Sequence, residues 1–159
     1  MTTVAAPRRY PDESITDAAN CLICATENVP SDAVVFRDEL WACEVVVGFE
    51  VPGWFFLRAR RHALGWTELS DAELETFGRH ARDTVDAVTM ATGARATYLF
   101  NFGEAYPHFH CLITSRGDDV PPELRSGNIL RLKGDRVDRA ASLAMVPAVR
   151  AAYEKATQS

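Results

Sequence analysis

No run of apolar residues in this 159-residue chain approaches the roughly twenty needed to span a bilayer, and Met1 to Tyr10 contain no apolar stretch of signal-peptide type. The expectation is a cytoplasmic chain that does not contact membrane. Basic charge is scarce as well. Seventeen Lys and Arg stand against twenty-two Asp and Glu, a net charge of -5, which excludes a polynucleotide-binding protein that works by neutralising a track of phosphates. The one dense basic cluster, Arg58, Arg60 and Arg61, suits a single phosphorylated small molecule at most. Internal repeats and low-complexity segments are missing too, so the ordinary apolar content points to one well-buried core. Cysteine is limited to four residues. Without an export signal these are not a disulfide framework, and the Cys21/Cys24 pair reads as metal-binding or redox.

Residues 1–18 are rich in Thr, Ala, Pro, Arg and Asp and carry no periodicity, so a mobile arm is expected there, ahead of one domain over residues 19–159. Between Val34 and Arg60, the runs Ala42 to Phe49 and Trp54 to Leu57 flank Val51-Pro52-Gly53 and read as two strands joined by a turn. Ser70 followed by Glu73 has the form of a capping box. Leu74, Phe77, Ala81, Val85 and Val88 then recur at helical spacing until Gly93 offers a C-terminal stop. Ala96 to Phe102 and Pro107 to Thr114 read as two further strands around Gly103, and Arg116 to Asn128 as an exposed loop. Arg139 to Ala156 is helical in character, with Pro147 expected to kink or split it. The sum is an α+β domain: a mostly antiparallel sheet, a long helix packed on it and a C-terminal helical segment.

Cys21-Leu22-Ile23-Cys24 brings two thiols close enough to hold one metal, a spacing that redox pairs share. Two more ligands are needed, and among four histidines two lie in suitable settings: His62, after Arg60-Arg61 at a strand end, and His108, on the later strand. Together they complete a tetrahedral Cys2His2 set, which leaves no open position and makes zinc structural. The plainer alternative is a thiol pair with no metal. The residues after Cys24 start no recognisable helix, which counts against a thioredoxin-type role. His80 reads as a packing or surface histidine of the long helix, and Cys43 and Cys111 as small core fillers.

On an extended strand His108, His110 and Leu112 share one face, while Phe109, Cys111 and Ile113 share the other. The segment Asn101-Phe102-Gly103-Glu104-Ala105-Tyr106-Pro107-His108-Phe109-His110-Cys111-Leu112-Ile113 resembles the signature of the histidine-triad (HIT) superfamily. The likeness extends to the Cys21/Cys24 pair, to Arg60-Arg61-His62 and to the Ser70 to Met90 helix, and it covers roughly residues 20–116. Several landmarks in the family's order make it specific. What the resemblance implies is a zinc-bearing, homodimeric, HIT-like protein with the metal on Cys21, Cys24, His62 and His108. His110 is then the nucleophile that attacks the α-phosphorus of a nucleotide, giving a covalent nucleotidyl-histidine. Asn101 matches the family's asparagine near the nucleotide, with Arg60, Arg116 and Glu104 as further substrate contacts.

Three positions depart from the pattern. The third histidine is Leu112, the family's glutamine is Glu104, and a position often holding a hydroxyl residue is Ala105. Two function classes follow. One is a nucleotidyl hydrolase or transferase acting on phosphoanhydrides or phosphoramidates through His110. The other is a diverged HIT-like protein that binds a non-nucleotide small molecule, or runs a different biosynthetic reaction, in the same cleft. Glu104 discriminates: an arginine partner favours the first, and a carboxylate without one disfavours anionic substrates.

Overall fold

The computed structural model describes residues 13–159. Most of the expected mobile arm therefore lies outside the described residues, and its last part differs from the expectation. Glu13–Thr16 and Ala18–Asn20 form short 3-10 turns.

Five antiparallel strands form one sheet in the order β1-β2-β3-β5-β4. They are β1 (Val34–Arg37), β2 (Trp41–Val45), β3 (Trp54–Ala59), β4 (Ala96–Phe100) and β5 (His110–Arg116). Helices α1 (Asp71–Thr92) and α2 (Arg139–Thr157) pack on one face of it. The alternation along the strands explains the two-sidedness. Trp41, Cys43, Val45, Phe55, Leu57, Phe109, Cys111 and Ile113 meet Ala87, Val88, Val146 and Val149 of the helices in the main core. Their strand neighbours point the other way. There Phe56, Leu112, Phe100 and Tyr98 join a second apolar cluster, closed by Val120, Ile129 and Leu132. The segment read as an exposed loop, Arg116 to Asn128, is thus the start of a cover for the second face. It contains the 3-10 turn Pro122–Leu124 and runs into a second, Ser126–Gly134, and the turn-forming prolines and glycines mask the buried Val120 and the following Ile129.

Helix α1 starts and stops where its sequence says. Glu73 N–H donates to Ser70 Oγ (3.2 Å), Ser70 N–H donates to Glu73 Oε2 (2.7 Å), and Gly93 closes the helix at φ 65°. Leu74 departs from its expected stripe and is exposed. Strand limits also shift. β2 ends at Val45, before a turn with Gly48 at φ 89°, and the Val34–Arg37 strand is an additional one, too short to carry a periodic signal. β5 starts at His110 and not at Pro107. Pro107 has no N–H to donate, and the following His108 N–H turns back to Tyr106 O (2.8 Å). Among the described residues, no helix is long and apolar enough to cross a membrane.

Helix α2 runs unbroken through Pro147, contrary to the expected split. Its buried Ser142, Val146, Val149 and Tyr153 hold both halves to the sheet and to α1, so packing overrides a proline that costs on the order of 3 kcal/mol in a helix interior. Pro147 itself is exposed. Pro147→Ala is expected to raise stability by about 1–3 kcal/mol, measured by urea denaturation; an unchanged or lower midpoint would contradict this account of α2.

Candidate metal centre and histidine site

The four expected metal ligands converge. The ligand atoms of Cys21, Cys24, His62 and His108 all lie within 4.8 Å of one another. Cys24 Sγ is 3.2 Å from His62 Nδ1 and 3.3 Å from His108 Nδ1, and Cys21 Sγ is 3.5 Å from His108 Nδ1. A tetrahedral ion with Zn–S near 2.3 Å and Zn–N near 2.0 Å places sulfur and nitrogen about 3.5 Å apart, so the set fits zinc in size as well as in chemistry. Both imidazoles are fixed from behind by main-chain carbonyls. His108 Nε2 bonds Ala59 O (2.6 Å) and His62 Nε2 bonds Thr16 O (2.7 Å). With Nε2–H donating outward, each Nδ1 lone pair is left facing the thiols.

Electrostatics match that role. Burial lowers the His108 pKa to about 4, so its ring is neutral at pH 7, as a ligand must be. Burial, together with the neighbouring Cys21, pushes the Cys24 thiol up to about 11. A divalent cation reverses that second effect, since a coordinated thiol is deprotonated.

The arginines do something other than what their clustering suggests. Arg58 is fully buried on β3, donating from Nε and Nη2 to Glu44 (3.1 and 2.6 Å) and from Nη1 to Glu27 Oε1 (3.0 Å). Arg60, expected to contact substrate, donates to both Glu27 oxygens (3.0 and 3.2 Å). Arg61 pairs with Glu73 of the capping box (2.8 Å). All three guanidiniums are engaged within the fold, because a buried or half-buried cation without a carboxylate is strongly unfavourable. Arg116, the other expected substrate contact, stands six residues from His110 at the opposite end of β5, roughly 20 Å away at strand rise, where it pairs with Ala96 of β4. Neither Arg60 nor Arg116 joins the histidine site. Glu27 and Glu44, which sequence reading missed, have no local motif; the β2–β3 register brings Glu44 to Arg58, and the 3-10 turn Cys24–Asn28 brings Glu27.

His110 lies opposite Arg58 in the β3–β5 pairing, half-buried, with Phe56 edge-on at 5.1 Å between ring centres. Its Nδ1 bonds His108 O (2.6 Å). With that nitrogen donating, Nε2 keeps the lone pair, and burial lowers the ring's pKa and favours the neutral form. Three imidazoles are therefore oriented by the same device. Two present Nδ1 to the thiols, and the third presents Nε2. Asn101 supports the third, donating from Nδ2 to His110 O (2.7 Å) while its Oδ1 accepts from Trp66 Nε1 (2.7 Å). Leu112 lies two residues along the strand from His110, packed in the second apolar cluster. Glu104 is exposed on the β4–β5 connection and has no ion-pair partner among the described residues.

No protein-family model matches the chain, and no curated protein does. Solved structures do. The fold is similar to a HIT-like protein involved in cell-cycle regulation from Bartonella henselae, with a TM-score of 0.64 and 17% identity over 86% of this chain and 98% of that one. A zinc-bound histidine triad family protein from Mycobacterium smegmatis gives a TM-score of 0.63 at 16% identity, over 89% and 99% of the two chains. A uridylyltransferase mutant gives 0.63 at 21% identity over 85% of this chain, which spans only 47% of that larger protein. The chain thus has the α+β fold of the histidine-triad superfamily.

Two measurements test the metal centre. Protein purified without chelators is expected to carry about one zinc per chain by elemental analysis, and Cys24→Ser to lose most of it with a lower Tm; metal-free wild type of unchanged Tm would refute the site. Glu27 tests the ion network. Burial pushes its carboxyl up, but Arg60 and Arg58 outweigh that and hold it at about 2, so its contribution is complete above the usual carboxylate range and is lost as pH falls towards 2. The stability gap between wild type and Glu27→Gln should narrow from about pH 5 downwards in denaturant titrations; a constant gap would show that the charge of Glu27 is not what matters.

Proposed function

We propose that this protein is a zinc-stabilised nucleotidyl hydrolase or transferase that works through His110 on phosphoanhydride or phosphoramidate nucleotides. The observation that carries this reading is the 2.6 Å bond between His110 Nδ1 and His108 O, which leaves Nε2 as an unprotonated, oriented nucleophile. In the reaction, the Nε2 lone pair forms a bond to the α-phosphorus as the phosphorus–leaving-group bond breaks, and the leaving group departs with that electron pair. Water or another acceptor then attacks phosphorus. The phosphorus–nitrogen bond breaks, the imidazole recovers its lone pair, and the acceptor's proton passes to solvent. Zinc holds the strand that carries the nucleophile and takes no part in these steps. The structural likeness to a uridylyltransferase supports the class of chemistry. Cytoplasmic location and a homodimer belong to the same proposal, the first because a site built on two thiolates suits a reducing compartment.

One observation favours the second reading, a diverged protein whose cleft takes a non-nucleotide small molecule. Glu104 has no cationic partner, and Arg58, Arg60 and Arg61 are bound to Glu44, Glu27 and Glu73. The cleft therefore offers little positive charge to a polyphosphate.

Turnover separates the two. A panel of dinucleoside polyphosphates and nucleoside phosphoramidates should yield at least one substrate, and His110→Ala should reduce its kcat by about 10³-fold or more, in line with removal of a covalent nucleophile, with zinc content intact. His108→Ala should lose zinc and stability first. Wild type that turns over none of the panel and forms no phosphorus adduct by mass spectrometry would remove the nucleotidyl reading and leave the second.

A further inference from the structure

Between the segment after His62 and the β4–β5 connection is a cavity of about 180 Å³, lined by Leu64, Trp66, Asn101, Phe102, Glu104 and Phe109. Its chemistry is one-sided. Trp66 Nε1 is spent on Asn101 Oδ1, and one of the two Asn101 amide hydrogens on His110 O. Its strong acceptor is free, because Glu104 has no ion pair among the described residues. Two of its aromatic walls stand open to solvent, Trp66 at 47% and Phe102 at 68% exposed, beside the buried Phe109. Large aromatic rings are seldom left this exposed without a use.

A carboxylate in a cavity with exposed aromatic rings and no neighbouring cation repels anions and attracts cations with an apolar body. The negative ring faces and the carboxylate act on the same positive charge, and the rings take up the hydrocarbon. We propose that this cavity is a recognition subsite for a small organic cation, an aliphatic ammonium group held by Glu104 against Trp66 and Phe102. Asn101 joins the subsite to the nucleophile, since the same side chain bonds Trp66 and the His110 carbonyl. A substrate that spans both places its ammonium group next to the reacting centre. This deepens the reading of the cleft given above, while binding of the ammonium group stands on the cavity's own geometry.

The fluorescence of Trp66 offers a direct readout. Trp41 and Trp54 are buried, at 0% and 3% exposure, and Trp66 is the open one. Zinc-loaded full-length protein is titrated with n-butylammonium, with 1-butanol as the neutral isostere and with inorganic phosphate as the anion. The expected result is a saturable response to n-butylammonium at least about tenfold tighter than to 1-butanol. Glu104→Gln should erase that preference with zinc content and circular dichroism unchanged. Trp66→Ala should weaken n-butylammonium binding when read by saturation-transfer NMR on the probe itself, which does not depend on tryptophan emission. Equal affinity for the alcohol, full retention in Glu104→Gln, a larger response to phosphate, or no saturable response to any probe would each overturn the proposal. Because the titration reads an amine and not nucleotide turnover, its failure is distinguishable from failure of the His110 reaction.

Discussion

A guanidinium with no access to water, that of Arg58, is the constraint on which much of this structure rests. It lies at the centre of the sheet face that carries His110, and it cannot stay charged there without carboxylates. Glu44 supplies one from the neighbouring strand and Glu27 the other. Glu27 follows Cys24 by three residues, so the ion pair also ties the Cys21–Cys24 turn to β3. The thiols are thereby delivered to His62 and His108, one beyond the end of β3 and the other beside Ala59. Electrostatic pairing and the candidate metal cluster thus meet at the same turn from two sides. Loss of either leaves the other with less to organise.

Much of this was legible in the sequence, for reasons that are local. The capping box of α1, its glycine stop, the Cys-x-x-Cys pair and the alternation of Phe109, Cys111 and Ile113 are set by residues a few positions apart. The four metal ligands are spread over the chain and were still recognisable, because thiols and imidazoles together have few other uses. What escaped was non-local. The clustering of Arg58, Arg60 and Arg61 suggested a phosphate site, yet each guanidinium is bound to a glutamate that only tertiary structure brings near. The same holds for Val120 and Ile129, whose burial against Phe56 and Leu112 is hidden behind turn-forming neighbours. Pro147 shows the reverse case, a strong local signal overruled by packing on both sides of it.

The histidines show how little separates a ring turned towards the thiols from one turned away from them. Each of the three rings has one nitrogen tied to a main-chain carbonyl, and the choice of nitrogen decides the outcome. For His62 and His108 the tie is at Nε2, which turns Nδ1 to the thiols. For His110 it is at Nδ1. The carbonyl that holds His110 belongs to His108, so the orientation of the third ring follows from where the metal strand segment is fixed.

The carbonyl of Thr16 has a practical bearing. Composition reads residues 1–18 as a mobile arm, and a shortened version for biophysical work would be cut after them. Thr16 is nonetheless the acceptor that sets the tautomer of His62. An expression boundary drawn after it would remove the carbonyl that fixes the His62 ring, so trimming and tagging belong on the N-terminal side of that residue or at the exposed end of α2.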